Sequence, residues 1–501
     1  MSDLLSAFSD VFSIYNILAI LLGTVAGIII GALPGLSSVM GLSILLPFTF
    51  TLDGMGGIMA LMGVFCGSIY GGSISAILIN TPGTSASAAT AMDGYPMATR
   101  RNEPGRALGI STYASTFGGL FSCFALIVFS PMLAKVALKF SAHEYFALAF
   151  FGISIITSVS SRSVVKGLIG GVLGLLMGCM GIDNLTGVSR FTFNSTYLMG
   201  GVSYIPLLIG LFAFAQALST IEKMYGQVFK KTFVKIKNVF PTLADQKRIL
   251  PTVLRSSIIG TFIGSVPGTG GDIASWVAYN EAKRWSKHKE EFGNGIPEGI
   301  AASESGNNSI AGGAFVPLLT LGIPGDAGTA VMMGSLMVLG IAPGPLLFTE
   351  KTSTVYMIFI GLLMANIFMG ILGFSLIRQF VKVLNVSNII MIPLIFTFCI
   401  VGTFAINNSV NDVIFMMITG IIGYFLIKLD FSAPPVILGL ILGTMAESNF
   451  RRALVISDGS FLSFFQRPIA LAFIVLSLLS LFAPMILSLV KKHSKRKAAA
   501  R

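Results

Sequence analysis

Charge is what this sequence has least of. Asp, Glu, Lys and Arg make up 11% of its 501 residues, where a soluble domain carries about 25%, so a water-soluble globular chain is excluded. Cysteine is scarce too. Cys66, Cys123, Cys179 and Cys399 are scattered through apolar runs without paired spacing, which reads as small core residues rather than a disulfide or metal set. His143, His288 and His493 stand far apart, and their spacing suggests no zinc site. The first ten residues hold Asp3 and Asp10 but no Lys or Arg, so no cleavable signal peptide is expected and the first apolar segment is retained. No Ser/His/Asp or Cys/His set is placed for catalysis. "GTGGD" (268–272) lacks the Lys-Ser/Thr of a phosphate loop, and an enzyme is not expected.

What fills the chain is apolar sequence, 54% by residue. Long runs cover 11–33, 55–79, 107–134, 144–159, 167–182, 198–221, 352–377, 389–406, 412–429 and 467–490, with shorter or interrupted ones at 38–50, 252–266, 326–342 and 433–446. The expectation is an all-α polytopic membrane protein of about 12 transmembrane helices plus broken or re-entrant pieces. The formal charge of +12 is read as cytoplasmic loops, not as nucleic-acid binding. Basic residues gather at Arg100, Arg101 and Arg106, at Arg162 and Lys166, at Lys283, Arg284, Lys287 and Lys289, and in 222–255 and 491–501. The division follows: a first membrane repeat over 1–221, a basic cytoplasmic linker over 222–255, a second repeat over 256–490 and a basic cytoplasmic tail over 491–501.

The two apolar halves resemble each other. "GTVAGIIIGALPGLSS" (23–38) echoes "GTFIGSVPGTGG" (260–271), matching Pro34-Gly35 with Pro267-Gly268. "SIYGGSISAILINTPGT" (68–84) echoes "SIAGGAFVPLLTLGIPGD" (309–326), matching Pro82-Gly83 with Pro324-Gly325 after a one-residue insertion. Loop charge suggests that the repeats are inverted: "TLDGMGG" (51–57) has no basic residue, whereas "NEAKRWSKHKEEFGNG" (280–295) has several. Gly/Pro-interrupted segments at corresponding positions of two halves point to the binding site of a secondary transporter.

A broken helix exposes N–H groups that attract anions and carbonyls that attract cations. The substrate site is therefore expected at Asn80, Thr81, Pro82, Gly83, Thr84 and Ser85, with the matching breaks Pro34, Gly35, Pro267, Gly268, Thr269, Pro324 and Gly325; a purely structural kink is the alternative. "ASESGNNSIAGG" (302–313) supplies further oxygen ligands. Cation coupling is assigned to Asn80, Ser305, Asn307, Asn308, Glu304 and Asp326, with helix capping as the alternative. Na⁺ is the expected coupling ion, or H⁺ through Glu304 or Asp326. Asp93 and Asp272 are further acids near membrane depth. Gly23, Gly27 and Gly31, and Gly439 with Gly443, have the spacing of close helix packing.

"GALPGLSSVMGLSILLPFTF", "YGGSISAILINTPGTSASAATAMDGYPMA", "GSVPGTGGDIASWVAYNEAKR" and "GIPEGIAASESGNNS" resemble the signature blocks of the large membrane subunit of the tripartite tricarboxylate transporters. The resemblance spans nearly the whole chain. It implies a bacterial inner-membrane permease that works with a small four-helix membrane subunit and a periplasmic substrate-binding protein, importing citrate or related carboxylates on an ion gradient without ATP. Where many members read "NTPGTPAA", this chain has "NTPGTSAS", with Ser85 in place of a Pro. A permease for another small organic anion, or a membrane scaffold or enzyme, is the alternative.

Overall fold

A computed structural model describes residues 2–481 apart from 53, 160–162, 184–185 and 225–235. The basic tail 491–501 and part of the basic linker lie outside the described residues. Among the described residues helices carry nearly all of the structure, as membrane-buried backbone requires, and one two-stranded ribbon pairs Gly181–Ile182 with Ser189–Arg190. The chain is an all-α polytopic membrane protein.

Seven described helices are long and apolar enough to cross a membrane: Ile14–Ala32, Gly56–Ile79, Pro104–Ala137, Tyr204–Glu222, Thr352–Ser375, Ile389–Asn407 and Val410–Lys428. Ser38–Thr49, Ala142–Ile155, Val165–Gly178, Ala327–Val338 and Pro468–Leu481 are apolar but shorter. The apolar run 198–221 becomes continuous helix only from Tyr204, after the turn at Gly200 and Gly201.

Two compact units are drawn from Met1–Lys135 with Tyr204–Phe425, and from Val136–Ser203 with Leu426–Arg501. Each apolar half of the sequence thus contributes to both. In the second unit, Ala142–Val159 and Val164–Gly178 pack against Pro434–Ile456. Gly439 lies on the Gly171 carbonyl and Gly443 on Leu175, so this small-residue pair is used for close helix approach, as its spacing predicts. Arg190 grips Glu447 with two nitrogens, and Arg451 reaches Asp183 at 2.7 Å.

The first unit carries the repeat. Helix α1 (Ile14–Ala32) leads to the Pro34-Gly35 tip, α2 (Ser38–Thr49) follows, and then α3 (Gly56–Ile79). Gly23 faces Ala60, Gly27 faces Val64 and Gly31 faces Ser68. Both numbers rise together, so α1 and α3 run parallel. It follows that α2 runs back against their direction, making α1 and α2 a helical hairpin. After the second break come α4 (Ala88–Thr99) and the long α5 (Pro104–Ala137).

The second half repeats this design with α6 (Leu243–Gly264), the Pro267-Gly268 tip and α7 (Gly270–Trp285). Then α8 (Pro297–Asn308) and α9 (Ile310–Leu321) succeed each other through Ser309, and α10 (Ala327–Val338) follows the last break. Here Gly260 faces Gly306 and Gly264 faces Ile310, again in parallel. A shift of 233 residues (Pro34 to Pro267) and of 242 (Pro82 to Pro324) maps one set of contacts onto the other. Gly27 on Val64 becomes Gly260 on Gly306, and Gly71 on Ile28 becomes Gly313 on Thr261. The insertion suggested by letter matching is absent from this register.

Candidate functional site

Each half breaks its helices in two ways. At the hairpin tips, Gly35 and Gly268 take φ of +88° and +82°, a turn open to residues without Cβ. At the ends of α3 and α9, Asn80 (φ +55°) and Gly322 (φ +69°) stop the helix in the left-handed region, and Asn is among the side chains that tolerate it. The following Pro has no N–H to donate. The chain then folds back: Gly83 N–H donates to the Gly72 carbonyl at 3.2 Å.

This fold-back brings the two breaks of each half to one level. A Cβ on Gly83 would lie 2.0 Å from the Gly31 carbonyl oxygen, and one on Gly325 would lie 2.6 Å from that of Gly264. In the second half the contact is also a hydrogen bond, Gly268 N–H to the Gly325 carbonyl at 2.7 Å. Glycine is required at 83 and 325 because backbone meets backbone there.

The halves then meet each other. Ser85 Oγ donates to Asp272 Oδ1 at 2.8 Å, across 187 residues of sequence. A Cβ on Gly271 would lie 3.2 Å from Ala86 Cβ and 2.5 Å from Asn307 Oδ1. On the other side α10 approaches α2, where a Cβ on Gly328 would lie 3.5 Å from Leu42 Cδ1. Four helical segments start at the breaks. Ser37 caps α2 and Asp326 caps α10, the latter in a reciprocal box with Thr329. Thr84 and Thr269 make no such cap: Thr84 Oγ1 pairs with Ser87, and Thr269 Oγ1 turns back to the Val266 carbonyl at 2.9 Å. The starts at Ser85 and Gly270 therefore lack a side-chain cap, and a helix N-terminus attracts an anion.

Beside this junction lies a buried carboxylate. Glu304 is fully enclosed and accepts from Thr90 Oγ1, from Ser115 Oγ at 2.9 Å and from Asn308 Nδ2 at 3.5 Å. Asn308 Nδ2 also reaches Ser115 Oγ at 2.9 Å. Among the described residues no basic side chain pairs with Glu304. The sequence reading missed Thr90 and Ser115. For Ser115 the signal was present in α5, where Ser111, Thr112, Ser115 and Thr116 line up at helical spacing inside an apolar helix.

The expected residues separate into groups. Thr84, Ser85, Gly268, Thr269, Gly325, Asp326 and Asn307 lie at the junction, with Pro82, Gly83, Pro267 and Pro324 forming its turns. Pro34 and Gly35 form the first tip, where the Gly35 carbonyl accepts from Gln216 Nε2 at 3.3 Å. Glu304 and Asn308 form the buried cluster. Ser305 Oγ donates to its own helix at the Ala301 carbonyl, 2.7 Å away. Asn80 and Thr81 are exposed, and no described side-chain bond joins them to Asp272 or Asp326; Thr81 Oγ1 donates to the Ile79 carbonyl at 3.3 Å. Asp93 has a structural task. Its Oδ1 accepts the N–H groups of Gly293, Gly295 and Ile296 at 2.9, 2.8 and 3.0 Å, and Tyr279 donates to Oδ2 at 2.9 Å, pinning the loop between α7 and α8 onto α4.

Comparison with known proteins agrees with this architecture. Residues 17–438 match the family described as the tripartite tricarboxylate transporter TctA family. An uncharacterised 52.8 kDa protein in the TAR-I ttuC' 3' region of Agrobacterium vitis is 36% identical over 496 residues, covering 99% of this chain and 98% of that protein. An uncharacterised protein in the TAR-II ttuC' 3' region of the same organism is 36% identical over 236 residues, 47% of this chain and 98% of its own length. No solved structure matches.

Proposed function

Because the chain belongs to the tripartite tricarboxylate transporter TctA family, a family of transporters rather than enzymes, we propose that it is the large permease subunit of a binding-protein-dependent importer of tricarboxylates or related carboxylates, driven by cation symport. Membrane and binding-protein partners accompany this family in general. In our reading these are a small four-helix membrane subunit and a periplasmic protein that delivers the substrate at a bacterial inner membrane. The two halves are inverted repeats within a set of about 12 spans.

The observation that carries this reading is the meeting of the two halves at Ser85 and Asp272, beside helix starts at Ser85 and Gly270 that no side chain caps. Such starts hold carboxylate oxygens through backbone N–H groups. No Lys or Arg lies in the four breaks, so fixed positive side chains do not balance a polyanion there. An inside-negative potential opposes its inward movement by about 2.3 kcal/mol per charge per 100 mV, and co-bound cations remove that opposition. Na⁺ is the proposed ion, with H⁺ through Glu304 or Asp326 as the other route. Proteoliposomes holding both membrane subunits and the loaded binding protein test this under imposed Na⁺ or pH gradients. Accumulation driven by one of the gradients is the expected result; accumulation driven by ATP and by neither gradient overturns it.

A further inference from the structure

We propose that the second compact unit binds an anionic phospholipid, whose phosphodiester sits on Arg451, Arg452 and Tyr145. These side chains line a cavity of about 440 Å³ where the start of Ala142–Val159 meets the end of Pro434–Ile456. Ligand pockets run from roughly 300 to 1,000 Å³. The inference goes beyond the import reading and does not depend on it.

What this cavity lacks is an acceptor. Neighbouring charges in the unit are paired off: Arg190 with Glu447, Arg451 with Asp183, and Arg467 with Glu144. Arg452 is left over. Among the described residues its guanidinium makes no ion pair and no hydrogen bond, so it does not serve the carbonyls at the end of its own helix either. Asp458 follows the same helix but does not line the cavity and pairs with neither arginine. Arg451 commits Nη1 to Asp183 at 2.7 Å and to Glu447 at 3.5 Å, which leaves Nε and Nη2 open. The Tyr145 hydroxyl has no described partner, although its ring is set edge-on against Phe140 at 5.8 Å. No carboxylate lines the cavity. Three donor side chains around one space, with one uncompensated positive charge, fit a monoanion that offers several oxygens. A phosphodiester is such a group.

The apolar walls decide which phosphodiester. Phe140, Val455 and Ile456 belong to the same lining, and Val455 and Ile456 are exposed on the surface of a membrane chain. A charged head on arginines beside an apolar body on these side chains is the division that a phospholipid has. Free phosphate or a small carboxylate would use the donors and leave the walls bare. Basic pockets between membrane helices take anionic headgroups, and tyrosine is enriched at the same level of the bilayer.

The test uses the full chain purified in detergent. Its thermal midpoint is followed as phosphatidylglycerol, phosphatidylcholine, sodium phosphate or citrate is added at fixed ionic strength. A ligand of the folded state raises the midpoint with the logarithm of its concentration. Phosphatidylglycerol should act at lower concentration than phosphatidylcholine, whose choline sets a positive charge near the arginines, and neither soluble anion should match it. Arg452→Gln should weaken the apparent phosphatidylglycerol affinity about fivefold, as expected for one basic side chain lost, and Tyr145→Phe should weaken it as well. Arg378→Gln, at an exposed arginine of the first unit, should leave it unchanged. No preference for phosphatidylglycerol overturns the proposal, and so does equal weakening by Arg452→Gln and Arg378→Gln. An equal shift from phosphate or citrate makes this a small-anion site and refutes the lipid. If Arg452→Gln fails to fold, Tyr145→Phe decides: unchanged phosphatidylglycerol affinity refutes the site.

Discussion

Replacing Gly31 or its repeat counterpart Gly264 by Ala should have unequal effects, although both precede a Pro-Gly tip by three residues. A methyl carbon on Gly31 would lie 2.3 Å from the Ser68 carbonyl oxygen and 2.9 Å from the Ser68 carbonyl carbon and Cα. All of these are backbone, and no rotamer change relieves them. Carbon–oxygen contacts between helices normally sit at about 3.3–3.6 Å, so α1 and α3 must part by roughly 1 Å. On Gly264 the nearest atoms are Ile310 Cα at 3.1 Å, Ala314 N at 3.2 Å and Gly313 Cα at 3.3 Å, which a few tenths of an ångström relieve. Overpacking costs about 1–3 kcal/mol, and Ala gains about 0.5–1 kcal/mol over Gly within a helix. The expected net is a loss of about 2 kcal/mol for Gly31→Ala, roughly thirtyfold in the folded ratio, and a change near zero for Gly264→Ala. The Gly31 carbonyl also lies against Gly83 at the fold-back, so carboxylate uptake should fall further than stability alone explains. Unfolding in detergent and uptake in proteoliposomes are measured on both variants. Equal effects, or greater damage from Gly264→Ala, would refute the reasoning.

Asp93→Ala should cost about 3 kcal/mol, because three backbone N–H groups lose their acceptor; hydrogen exchange should accelerate at Gly293, Gly295 and Ile296, and unchanged exchange there would show that Asp93 does not hold the loop. Asn80→Ala or Thr81→Ala should reduce carboxylate uptake strongly while membrane insertion stays intact, since both side chains are exposed at the break; normal uptake by both variants takes them out of the site. A cysteine placed at Gly54 should be labelled from the periplasmic side and one in the linker 236–242 from the cytoplasmic side, and labelling of Gly54→Cys from the cytoplasm alone sinks the inverted arrangement.

Much of this protein was legible before any coordinates. Scarce charge and recurring apolar runs determine a polytopic helical membrane chain, because lipid admits little else. The four breaks could be read because Pro and Gly act locally: one lacks a donor and the other opens positive φ, whatever surrounds them. The repeat was visible for the same reason, as was the close packing of Gly23, Gly27 and Gly31. What only the tertiary structure decided is which breaks meet. That depends on the crossing of α1 on α3 and of α6 on α8 and α9, a property of whole helix faces. The bond between Ser85 and Asp272 joins residues 187 apart, a distance at which no spacing rule operates. Asp93 looked like a functional acid and proved to be a loop anchor, because its three donors come from a segment about 200 residues away.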